Sequence, residues 1–98
     1  MADPDLFADA CMLIRNHFPV ENYSGEEEFR KGLSHAVCEL LVHDYQKLLN
    51  LAYRIDVDEK KFQSAFTAGS SSEISERITD LLIERALQKA ELRKKYRP

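Results

Sequence analysis

Tryptophan is absent from this chain, and its 98 residues include only three glycines, three prolines and two cysteines. So little glycine and proline excludes a collagen-like chain, a low-complexity chain and a fold of many short strands joined by tight turns. Two cysteines without CxxC spacing exclude a disulfide scaffold and a four-cysteine zinc site. Cys11 and Cys38 fall on apolar or semi-apolar faces of helix-forming segments, so reduced, buried thiols in a cytoplasmic protein are expected. No apolar run approaches the roughly 18 residues that span a bilayer, and no membrane association is expected. The chain opens without the basic region and apolar stretch of a signal peptide. There is no glycine-rich phosphate loop.

What is present points to helices. Hydrophobic residues make up 44% of the chain and charged residues 32%, enough for the modest core of one domain covering residues 1–98. The net charge of −3 argues against a surface that binds nucleic acid throughout. The charge is uneven, however: residues 1–28 hold seven acids and one base, and residues 89–98 hold five bases and one acid.

Four helices are predicted, making an all-α, small four-helix bundle-like domain with a long central second helix and a long C-terminal helix. The first opens with Asp3 as N-cap and Pro4 at the first helical position. It carries Leu6, Phe7, Ala10, Cys11, Ile14 and Phe18 on one face, and Pro19 ends it. The second begins with a capping box of Ser24 and Glu27 and runs to Tyr53. Its apolar arc is wide enough to require neighbours on more than one side. The third is short, with Asp56 as N-cap. Ala68-Gly69-Ser70-Ser71-Ser72 is the clearest loop, where Gly69 takes a positive φ and a serine caps the next helix. The fourth runs from about Ser72 to Tyr96 with two apolar stripes: Ile74, Ile78, Leu81, Leu82, Leu92 and Tyr96 on one side, and Ile83, Ala86, Leu87 and Ala90 on the other.

Two charges interrupt these stripes, Asp44 in the second helix and Arg85 in the fourth. A buried ion pair between Asp44 and Arg85 is one expectation, since the planar guanidinium can donate two parallel hydrogen bonds to a carboxylate. Two others stand beside it. Both side chains can reach the edge of the bundle, Arg85 laying its stem along apolar neighbours, or Asp44 can pair locally with Lys47 or Arg54.

Motifs with chemistry are few. His35, Glu39 and His43 stand four residues apart on one helix face and are weak candidates for a metal site. They lie on the polar side, however, and no second helix supplies further ligands. Cys38 has His35 three residues before it, but no orienting acid or oxyanion donor accompanies the pair. The Phe62–Ile78 stretch superficially resembles a helix-turn-helix, yet Glu73 and Glu76 stand where a DNA-reading helix meets phosphates. Asp56, Asp58 and Glu59 lack the glycine and distal glutamate of a calcium loop. No enzyme and no cofactor are expected.

The remaining features suggest contacts with other molecules. The stripe of Ile83, Leu87 and Ala90 is a possible interface for a homodimer or a protein partner. Lys89, Arg93, Lys94, Lys95 and Arg97 form a possible anion-binding tail, although cations at a helix C-terminus also complement its dipole. The stretch from Tyr53 to Lys61 resembles ones in small helical bacterial proteins; it names no family and carries over no residue role. The expectation is therefore a small non-catalytic helical interaction or assembly protein of the bacterial cytoplasm. The alternative is a nucleic-acid accessory protein that uses the basic C-terminal helix end.

Overall fold

Pro4 does begin the first helix. The computed structural model describes residues 4–20 and 23–95, in which α1 covers Pro4–Arg15; Asp3 lies outside the described residues. Past Arg15 the chain tightens into a turn, with the amides of His17 and Phe18 both donating to the Ile14 carbonyl at 2.9 and 2.8 Å. Phe18 and Val20 are buried on either side of Pro19.

α2 (Glu26–His43) starts one residue later than the expected capping box allows. Gly25, at φ 103°, is the N-cap and offers no side chain. Glu28 therefore reaches back instead of Glu27: its Oε2 accepts from the Ser24 hydroxyl at 2.6 Å and the Ser24 amide at 3.2 Å. These two bonds hold the Glu28 carboxyl below its ordinary value. Phe29, Leu33, Ala36 and Val37, spaced three and four apart, form its buried stripe.

The long second helix expected from the sequence is two helices. α2 stops at His43, and α3 (Tyr45–Ile55) begins after Asp44, whose φ of −154° and ψ of 71° are not helical. Asp44 serves both ends. Its amide donates to the Leu40 carbonyl at 2.8 Å, and its Oδ1 accepts from the Lys47 amide at 3.2 Å. Aspartate competes with helical backbone for such bonds and is among the best N-caps. Asp44→Ala should lower the unfolding free energy by about 0.5–2 kcal/mol with little loss of helix signal, as measured by denaturant titration followed by circular dichroism.

Asp56 ends α3 and does not start the next helix as expected. At φ 68° and ψ 44° it occupies the left-handed conformation. Its amide donates to the Tyr53 carbonyl at 3.0 Å, and that of Val57 donates to the Ala52 carbonyl at 3.1 Å. This is the pairing of a Schellman termination, with Ala52 and Val57 as its apolar contact, both buried. Asp58 then caps α4 (Glu59–Ala65), accepting from the Lys60 amide at 3.3 Å. A short 3-10 turn, Phe66–Ala68, leads to Gly69 at φ 117°, as the loop composition predicts. Ser70 caps α5 (Ser71–Lys95), accepting from the Glu73 amide at 3.2 Å while its hydroxyl donates to Glu73 Oε1 at 3.0 Å.

The fold is all-α, and α5 is its centre: α1, α2, α3 and α4 each pack against it. At about 1.5 Å per residue, its 25 residues run nearly the full 42 Å length of the molecule. Both of its apolar stripes are therefore used, since Ile78 and Leu82 are buried and so are Ile83, Ala86 and Ala90. Ser75 and Thr79 are buried beside them. Their hydroxyls donate to the carbonyls of Ser71 and Ser75, each at 2.7 Å, so neither is left unsatisfied. Among the described residues no helix is long and apolar enough to cross a membrane.

Candidate functional site

The helix break relocates both interrupting charges. Asp44 is exposed and committed to capping α3, so it does not meet Arg85. Arg85 turns to Asp56, donating from Nε to its main-chain carbonyl and from Nη2 to its Oδ2, each at 3.0 Å. Its Nη1 donates to Gln88 Oε1 at 3.1 Å. The left-handed turn at Asp56 frees that carbonyl from the helix and presents it, together with the carboxylate, to one guanidinium. Arg85 is thus a clamp on the α3–α4 corner rather than half of a buried pair with Asp44.

The expected interface stripe is inside the chain. Ile83 is 1% exposed and Ala90 2%, and Leu87 packs partly buried against the same core as Cys11 and Ile14. With Ile83 and Ala90 closed over, only the uncovered part of Leu87 is left at the surface. His35, Glu39 and His43 are exposed on α2, where His43 Nε2 lies 3.7 Å from Glu39 Oε2. Among the described residues no group of three or more His, Cys, Asp or Glu is placed to hold a metal ion. Of the basic tail, Lys89 is half-buried while Arg93, Lys94 and Lys95 are exposed at the end of α5. Arg97 lies outside the described residues.

The two thiols differ. Cys11 is fully buried, and its pKa is raised chiefly by that burial. Cys38 is half-buried in a polar groove of about 500 Å³ between α2 and α5, with His35 on the same wall. No hydrogen bond joins Cys38 to His35. The cations of this groove are also occupied: Arg30 bridges across to Asp80, and Lys31 reaches Glu27 at 3.7 Å. The groove therefore lacks an activated nucleophile, and its lysine and its arginine are both paired.

A different concavity, not anticipated from the sequence, is the better candidate. On α3 the residues Tyr45, Leu49 and Tyr53 form a row spaced four apart, beside the buried row of Leu48, Leu51, Ala52 and Ile55. α4 crosses below them and contributes Phe62, leaving an apolar cavity of about 190 Å³ between the two helices. Tyr45 is 44% exposed and Tyr53 59%. The floor is stiffened by rings, with Phe66 meeting Tyr45 edge-on at 5.8 Å and Phe62 at 5.5 Å. Glu59 and Gln63 stand on the α4 side, and neither has a side-chain partner among the described residues. Their polar ends are free to receive hydrogen bonds from something seated in the cavity. The signal for this site in the sequence was the excess width of the apolar arc. A row that cannot fit under one neighbour is either covered by a second or left open. No protein-family model matches the sequence, and no curated protein or solved structure is significantly similar to it.

Proposed function

We propose that this chain is a small non-catalytic interaction protein of the bacterial cytoplasm, whose contact site is the cavity between α3 and α4. The observation that carries the reading is a pair of exposed tyrosines, Tyr45 and Tyr53, bordering one apolar concavity. Single apolar side chains on a surface need no explanation, whereas aromatic residues gathered around a pocket have the composition of interface hot spots. The volume is on the scale of one large side chain. The partner is therefore a protein segment that inserts one aromatic or aliphatic anchor, with Glu59 and Gln63 bonding its backbone amides.

The test places a photo-cross-linking amino acid at position 53 in cells that express the full chain. A matching probe at Met12, exposed on α1, serves as control. A discrete adduct from position 53 that is absent from position 12 and disappears with Leu49→Arg is the expected result. An adduct of twice the chain mass would identify the partner as a second copy, a homodimer. No adduct, or the same adducts from both positions, would remove the proposal.

The second reading is a nucleic-acid accessory protein, favoured by the exposure of Arg93, Lys94 and Lys95 at the end of α5. Its mark would be an affinity for RNA or DNA that falls steeply with added salt.

A further inference from the structure

We infer that the face between α4 and α5 binds a small phosphate-bearing molecule, in a groove whose cations are Lys60, Lys61 and Arg77. The groove is open to solvent and spans about 410 Å³, and Ser64, Asp80 and Leu81 also line it. Surface lysines and arginines ordinarily need no ligand to explain them. Here three of the nearby acids already have partners. Glu73 is bonded to Ser70, Asp80 to Arg30, and Glu84 to Lys61 across 3.7 Å. Arg77, one turn from both Glu73 and Asp80, is left without a side-chain partner among the described residues, and so is Lys60. Three cations thus line one concavity against one carboxylate of its own wall, Asp80, which Arg30 already holds, while Glu84 faces Lys61 from outside it.

Like charges around a concavity repel, and an anion seated between them relieves that repulsion. A phosphate group fits the donors present. The Arg77 guanidinium offers a planar fork for two of its oxygens, the two ammonium groups act as point charges, and the Ser64 hydroxyl adds a neutral donor. Ala65 and Leu81 give the groove an apolar floor for the organic part of the molecule. An extended polyanion fits less well, because Glu73, Glu76 and Glu84 flank Arg77 along α5 and repel phosphates beyond the first. The occupant is therefore a small phosphorylated molecule rather than a nucleic acid.

Amide-resolved NMR titration of the full chain tests this with three probes: inorganic phosphate, adenosine monophosphate and a short single-stranded oligonucleotide. Saturable shifts at Lys60, Lys61, Ser64 and Arg77 are expected with phosphate or the nucleotide, and tighter binding of the nucleotide would show the apolar floor in use. Arg77→Ala and Lys60→Gln should each weaken binding about tenfold, the loss of one charge-assisted bond. Both residues are exposed, so circular dichroism should be unchanged. Four results would overturn the inference. These are no saturation by about 10 mM ligand, shifts confined to residues 93–95, undiminished binding by both variants, or an oligonucleotide that occupies the groove more tightly than the nucleotide does.

Discussion

Ile83→Ala is expected to lower the unfolding free energy by about 2–5 kcal/mol and to leave the solution mass unchanged. Ile83 is 1% exposed and belongs to the core that also holds Ile14, Leu82 and Ala86. Removing three of its carbons takes away transfer free energy and leaves a void that the neighbours only partly fill. A domain of this size has a total stability of roughly 5–15 kcal/mol, so the loss is a large share of it. The same substitution at an interface would act differently, shifting a dimer toward monomer while sparing the isolated chain. Urea denaturation together with light scattering behind size exclusion separates the two. A variant as stable as the parent, or a drop in mass, would contradict the placement of this stripe inside the fold.

Arg85→Met should cost about 1–3 kcal/mol, and its coupling to other residues should follow the geometry of the corner it clamps. The Asp56 carboxylate is 71% exposed, so its ion pair with Arg85 is screened and contributes only about 0.2–1 kcal/mol. The larger part comes from the Nε bond to the Asp56 carbonyl, which no substitution at position 56 removes. A double-mutant cycle of Arg85→Met with Asp56→Gly should therefore give a small coupling. Glycine also relieves the positive φ at that position, offsetting part of the lost bond. The cycle with Asp44→Leu should be additive within about 0.3–0.5 kcal/mol, because the two side chains share no partner. A larger coupling to Asp44 than to Asp56 would reverse the assignment.

Asp44 and Asp56 show how much of this fold is legible in the sequence. Both are aspartates beside helical segments, and local chemistry marks each as a cap. At Asp44 the apolar periodicity continues on both sides, so counting alone reads through the break. At Asp56 the residue suits either end of a helix, and only the Schellman bonds of Asp56 and Val57 decide which. Ser24 is a similar case, since both Glu27 and Glu28 are close enough to reach back, and the positive φ of Gly25 selects the second.

The candidate sites were less legible. The row of Tyr45, Leu49 and Tyr53 merges in the sequence with its buried neighbours, and nothing local tells which row a crossing helix will cover. Arg77 is separated from Lys60 and Lys61 by the rest of α4, the 3-10 turn and the Gly69 loop, so no spacing rule connects them.

By itself the sequence determined the helical class, the start at Pro4, the loop at Gly69 and the long C-terminal helix, because propensities and caps act within a few residues. The tertiary structure decided that α5 is the centre, that its second stripe is core, and that Arg85 meets Asp56. Each of those depends on which helix faces lie together once the chain is packed. That is settled by the shared burial of residues distant in sequence.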